Sequence, residues 1–478
     1  MLTKHAFAYL LSHGIPAIVG FLGIAIYSRL LSPEEYGQFA LIFASAAIVN
    51  AVVFEWLKVS VLRIQKQRDV GETTYYMTIK VAFITLIVGS FLIGVAVLLF
   101  LNSLSPSFLL LVLLLSSCQS WYQLNLSLLR AELNPLGYGK MAFIRAITGL
   151  LFATLLITLD YGAFGLVVGL VIGLLLSVAP MVFTRWGVRV KPKKVNGTLL
   201  KQFASYGLPL TITLLLGIII QHSDRLIIHA MIGVEATGQY AIAYDLTEQS
   251  IFTLMLIINL AAFPIAVRAL EKRGEQAAKA QVRKNTRLLL GVGIPATIGF
   301  ILLKDVIATI FLGTAFQETA ILLIPYIAIG ALLKGMKLYA IDIVFHLTKQ
   351  TKIQIIPVVV AATVNVALTI ILIPLYGLEG AAMATVAAYA FAIISSWLLL
   401  AAQRTTLPFP VKDFVKILFA SAIMGLSTLP FAGDERLGIS LLQVIVAGLT
   451  YCFVCGCLYF KDLTNMVLKR KVNKNQHT

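Results

Sequence analysis

What most constrains this chain is a succession of apolar stretches, each about twenty residues long, parted by short segments that carry most of the charge. Fourteen such stretches can be counted, centred near residues 18, 48, 90, 117, 151, 173, 217, 250, 297, 331, 364, 390, 421 and 449. Of the 478 residues, 59% are hydrophobic and only 12% are Asp, Glu, Lys or Arg. Soluble domains run about 45–50% apolar and about 25% charged. A water-soluble fold of this composition would have a largely apolar, aggregating surface, so lipid must solvate most of the chain. The expected class is therefore an all-α polytopic membrane protein.

A formal charge of +17 could suggest nucleic acid as a partner, but its distribution argues otherwise. The basic residues cluster between apolar spans, the pattern of a multi-pass membrane protein. With the N-terminus inside and the spans alternating, Arg29, Arg225, Lys304 and Arg436 fall toward the outside. Lys58, Lys334 and Lys337 fall within spans, leaving 31 of the 38 basic residues on the cytoplasmic side. Both termini are thus expected in the cytoplasm. The first apolar stretch is too long for a secretory signal and lacks a small-x-small cleavage site, so it reads as a retained span. The expected outside loops are too short to build a catalytic domain, and the chain carries no Walker loop or H-E-x-x-H motif. Cys118, Cys452, Cys455 and Cys457 sit within apolar spans without the histidines or second pair that a zinc site needs.

The chain also repeats itself. HGIPAIVGFLGIAIYSRLLSPEEYGQFAL, from His13, resembles YGLPLTITLLLGIIIQHSDRLIIHAMIGVEATGQYAI, from Tyr206. Each opens on Gly-Ile/Leu-Pro and closes on Gly-Gln-aromatic-Ala. DYGAFGLVVG from Asp160 likewise resembles LYGLEGAAMA from Leu375. These pairs predict two parallel six-helix lobes, residues 1–187 and 203–403, joined by a basic linker at 188–202. Two further helices (404–461) and a basic tail (462–478) follow. Repeats of this kind place a substrate site near the bilayer midplane, between the lobes.

RLLSPEEYGQFAL, DRLIIHAMIGVEATGQYAIAYDL and NVALTIILIPLYGLEGAAMATVAAYA resemble the polysaccharide-exporter branch of the multidrug/oligosaccharidyl-lipid/polysaccharide (MOP) flippase superfamily, and most nearly its Wzx-type O-antigen flippases. The resemblance spans essentially the whole chain. It implies a V-shaped, MATE-like carrier that is not an enzyme and has no cofactor. Such a carrier moves an undecaprenyl-pyrophosphate-linked glycan across the bacterial inner membrane, driven by H⁺ or Na⁺. It further implies the bilayer, a polysaccharide polymerase and chain-length machinery as partners, and no nucleic acid. Other carriers of the superfamily, a peptidoglycan lipid-precursor flippase or a cation-coupled drug antiporter, share most of these features.

Ionisable groups at lipid depth cost roughly 2.5–3.5 kcal/mol each on insertion scales, so they face a bundle interior or a wet cavity. A carrier of a diphosphate needs cations there, together with acids or histidines that exchange a coupling ion. In the seventh span, QHSDRLIIHA (221–230) puts His222, Arg225 and His229 on one helical face and Asp224 nearly opposite. Two readings stand for Asp224: a coupling or gating acid, or a residue that pairs with neighbouring helices and holds the lobe together. In the tenth span, Lys334 and Lys337 share a face with Asp342 near its edge, as expected of cavity cations contacting phosphate or sugar. Glu55 and Lys58 are spaced as a self-neutralising pair or as cavity groups; Asp245 and Glu248 are spaced to bind a cation or to rest near the interface. Arg29 corresponds to Arg225 in the repeat and reads as a pyrophosphate contact or an interface anchor. SSCQSWYQLN in the fourth span offers aromatic faces and amides to sugars or to neighbouring helices.

Overall fold

The computed structural model describes residues 2–64, 71–100, 105–186, 195–348, 350, 352–431 and 437–460. The basic tail at 462–478 and residues 188–194 of the expected linker lie outside these residues. The first half contains α1 (Leu2–Leu30), α2 (Pro33–Val49), α3 (Glu55–Arg63), α4 (Glu72–Phe100), α5 (Pro106–Ala131), α6 (Pro135–Leu156) and α7 (Gly162–Met181). The second half contains α8 (Gly197–Met231), α9 (Val234–Leu302), α10 (Lys304–Phe311), α11 (Thr314–Met336), α12 (Asp342–Leu347) and α13 (Ile355–Ala402). Two further helices, α14 (Val411–Thr428) and α15 (Leu437–Leu458), pack on each other and against α9. No strand occurs among the described residues.

Among the described residues, ten helices are long and apolar enough to cross a membrane. Three of them, 52, 69 and 48 residues long, exceed one crossing. Each is interrupted by a glycine with positive φ: Gly162 (+48°), Gly274 (+81°) and Gly377 (+56°). Gly162 and Gly377 are the matched glycines of the second sequence repeat, and their ψ angles, −134° and −135°, also agree. The repeat is therefore visible in the backbone as well as the sequence.

This pair yields a graded expectation. A Cβ at Gly377 would meet no atom within 4 Å, so Gly377→Ala carries backbone strain alone, about 1–3 kcal/mol. A Cβ at Gly162 would also run into the Glu35 carboxylate, so Gly162→Ala should lower the melting temperature further. Equal melting temperatures for the two variants would refute the distinction.

Small residues set the packing. Gly165, Gly169 and Gly173 of α7 make a close helix contact, with Gly169 against the backbone of Ala153 and Gly173 against that of Gly149. The other repeat glycines join the two halves: a Cβ on Gly37 would strike the Val234 carbonyl, and one on Gly238 would strike the Pro33 carbonyl. The starts of α2 and α9 thus cross with backbones touching. Beside them, the Ser28 hydroxyl accepts from the Gly313 N–H at 3.1 Å. Below, this is called the turn end. At the opposite, basic end, Ser60 of α3 donates to the Phe203 carbonyl at 2.6 Å, and Gly207 of α8 lies against Trp56.

Candidate functional site

The charged residues of α8, α9 and α11 form a buried ladder in the second half. Arg225 bonds Asp245 at 2.6 Å, and Asp245 also accepts from the Tyr36 hydroxyl at 3.1 Å. The guanidinium lies 3.2 Å from His222 Nδ1 and 5.2 Å from the centre of the Tyr244 ring. Further along α9, Glu248 takes Lys334 of α11 at 2.5 Å, with the ammonium 4.6 Å from the Phe252 ring centre. Lys337 then pairs with Asp342. These two stand five positions apart and meet because Lys337–Ile341 is a π-helical turn, which brings i and i+5 onto one side.

The expectation that Lys334 and Lys337 present two cations to one cavity is therefore corrected. Each has its own carboxylate, and the side chains are 7% and 3% exposed. Asp245 and Glu248 likewise divide between two cations instead of sharing one ion. Arg225 and Lys334 are the cations whose carboxylate partners retain exposure, 33% for Asp245 and 12% for Glu248.

Asp224 differs from the rest. Its Oδ2 accepts from Tyr240 Oη at 2.8 Å and from Thr385 Oγ1 at 3.2 Å. Asn365 donates to Thr385 and accepts from Ser223, both at 3.2 Å. Among the described residues the Oδ1 atom has no hydrogen-bond partner, nor has the hydroxyl of Thr369, one turn beyond Asn365 on α13. Asp224 is 1% exposed, and Tyr240, Asn365 and Thr369 are fully buried. A carboxylate held by two hydroxyls, with no ion pair among the described residues, is costly to bury as an anion. It suits a group that holds a proton, or a small monovalent cation among neutral oxygens.

Other candidates lie apart. His229 does not share the surroundings of Arg225: it is exposed at the end of α8, one full turn beyond, while His222 is buried. Arg29 is exposed and donates to the carbonyls of Ile310 at 2.6 Å and Phe311 at 3.3 Å, capping α10 across the turn end. Lys58 bonds Glu55 at 2.5 Å and Gln123 at 2.9 Å, the self-neutralising arrangement. In α5, Trp121 packs on Trp186, and Asn125 accepts from the Trp186 indole at 2.8 Å. Trp186, Tyr75, Tyr76, Glu132 and Arg185 border a cavity of about 700 Å³ at the basic end.

Sequence reasoning missed Tyr36, Tyr240, Asn365, Thr369 and Thr385. Asn365 carried a signal, an amide within an otherwise apolar span. Tyr240 carried another, since it stands where the first repeat has Phe39.

Comparison with known proteins places this arrangement. The family model described as polysaccharide biosynthesis protein matches residues 26–321, more than half of the chain. Among curated proteins no match is found. The fold resembles that of the lipid II flippase MurJ in an inward closed conformation, with 19% identity over 95% of this chain and 99% of that one and a TM-score of 0.71. It also resembles an inward-facing multidrug resistance MATE transporter of the MOP superfamily, at 13% identity, 83% and 99% coverage and TM-score 0.59. The Vibrio cholerae MATE transporter VcmN aligns at 14% identity, 84% and 96% coverage and TM-score 0.55. The chain is thus a multi-pass membrane protein of the polysaccharide biosynthesis family, built on the fold of the MOP-superfamily transporters.

Proposed function

We propose that this protein flips an oligosaccharide linked through pyrophosphate to undecaprenol, an O-antigen or related surface-polysaccharide unit, across the bacterial inner membrane. In this reading the chain crosses fourteen times, residues 1–187 and 203–403 are the two lobes, and the turn end faces outward. Alternating access is coupled to H⁺ or Na⁺.

The observation that carries the reading is the chemical inequality of two lobes that share one backbone plan. The repeats set Asp224 and Tyr240 against Ser28 and Phe39, and Asn365 and Thr385 against Leu150 and Leu170. Thr369 has its counterpart in Thr154, so the second lobe holds a buried carboxylate and amide where the first holds two hydroxyls and apolar groups. We assign ion coupling to Asp224 with Tyr240, Asn365, Thr369 and Thr385, and His222 lies beside the neighbouring Arg225. The diphosphate is assigned to Arg225 and Lys334, where it would take the places of Asp245 and Glu248. Lys337 with Asp342, and Lys58 with Glu55, set the charge of the surrounding walls.

Proteoliposomes carrying defined undecaprenyl-pyrophosphate glycans test this, with and without a pH or Na⁺ gradient. Lys334→Ala combined with Glu248→Gln, which leaves no unpaired carboxylate, should slow flipping at least about tenfold, equivalent to about 1.4 kcal/mol of lost binding. Unchanged flipping would remove the cation assignment. Transport of a peptidoglycan lipid precursor or a cationic drug, with the glycan left behind, would replace the substrate.

A further inference from the structure

An apolar cavity of about 510 Å³, lined by none of the ladder's charged residues, lies between α9, α11, α13 and the start of α14, within the usual size range of ligand pockets. Its wall includes Leu290, Ile294, Leu332, Met336, Trp397 and Phe414, and almost no polar surface reaches it. A second cavity of about 390 Å³ shares Trp397, Leu407 and Phe409 with the first and adds Arg404, Thr405 and Thr406. The two cavities thus adjoin across these three residues, a hydrocarbon-like one beside one that bears a guanidinium and two hydroxyls, here called the mouth.

Three features define that mouth. Arg404 is exposed and has a left-handed backbone (φ +54°), its N–H bonded to the Ala401 carbonyl at 2.9 Å where α13 ends. Arg283 of α9 donates to the carbonyl of Phe409 at 3.4 Å, so a second cation reaches a residue that lines both cavities. Trp397 is 55% exposed and lines both cavities, as an indole does where hydrocarbon meets headgroups. The carboxylate of Asp413 is engaged by the Tyr459 hydroxyl at 2.9 Å and by Arg287 at 3.9 Å.

We propose that these adjoining cavities hold an anionic phospholipid of the cytoplasmic leaflet, one acyl chain in the apolar cavity and the phosphate at Arg404 and Arg283. The proposal rests on the membrane orientation given above and not on which glycan is carried. A free anion would have no use for the apolar interior, and a zwitterionic lipid would bring an ammonium toward two arginines. Held there, the lipid would tie α13 and α14 to the lobe.

The test is native mass spectrometry of the full chain, released from detergent with phosphatidylglycerol or phosphatidylethanolamine of matched acyl chains. Preferential retention of phosphatidylglycerol is expected. Arg404→Gln should reduce it about fivefold, the effect of one cation near a charged membrane surface. Ile394→Trp, at a half-exposed position on the apolar wall, should displace both lipids while leaving the melting temperature unchanged in detergent alone. Equal retention of the two lipids, or insensitivity to both variants, would overturn the proposal. Displacement of phosphatidylglycerol by undecaprenyl phosphate at equal mole fraction would overturn it too, reassigning the cavity to the substrate's tail. Lipid retention is read without transport, so failure of the proposed glycan to flip would leave this result standing.

Discussion

Asp224→Asn is expected to abolish the response of flipping to an ion gradient while leaving the protein folded and no less stable. The Asn side chain keeps the shape of the carboxyl and can still accept from Tyr240 and Thr385. It removes a charge that forms no ion pair among the described residues, so the usual penalty for breaking a buried pair does not arise. The driven rate should fall at least about tenfold, to the rate seen without a gradient. Arg225→Ala makes the contrast, because it leaves the one-third-exposed Asp245 with Tyr36 alone and should cost about 1–3 kcal/mol. Measuring rate and melting temperature together separates the two roles. A gradient-driven Asp224→Asn protein, or one that melts as early as Arg225→Ala, would make the residue architectural.

The second large effect is expected where the halves cross. Alanine at Gly37 places a methyl on the Val234 carbonyl, and alanine at Gly238 places one on the Pro33 carbonyl. Neither obstacle is a flexible side chain, so the starts of α2 and α9 must separate. Packed interfaces yield by changing state more than by stretching, and the variants should favour a form opened at the turn end. Ser28, 3% exposed and bonded to Gly313, reports this opening. In a protein whose four native cysteines are replaced, Ser28→Cys should react about tenfold faster with a membrane-impermeant maleimide when Gly37→Ala is present. The double variant should add little, because both substitutions act on one crossing. Unchanged labelling with an unchanged melting temperature would show that the crossing does not gate access.

Much of this was legible in the sequence, for a physical reason. Lipid excludes unpaired charge, so Arg225, Asp245, Glu248 and Lys334 stood out against their apolar surroundings before any helix was placed. The turn glycines stood out similarly, because few residues other than glycine adopt the backbone that Gly162 and Gly377 share. What stayed hidden was pairing. Nothing local in α8 announces that Asp224 meets Thr385, 161 positions away. A regular helix would not bring Lys337 to Asp342, and the π-turn that does so has no clear sequence mark. The helical wheel separated Asp224 from Arg225 correctly, yet it also grouped His229 with His222 and Arg225, because a wheel ignores distance along the axis.

The ladder also has an arithmetic. Arg225, Lys334 and Lys337 supply three positive charges, while Asp224, Asp245, Glu248 and Asp342 supply four negative ones. With His222 neutral the set carries one net negative charge, and a single bound H⁺ or Na⁺ brings it to zero. A site alternating between those values as access changes sides moves charge through the membrane's electric field. Each elementary charge carried across is worth about 2.3 kcal/mol per 100 mV. Membrane voltage would then act on the transport cycle directly, apart from any concentration gradient, and flipping in vesicles should quicken or slow with the sign of an imposed potassium–valinomycin potential.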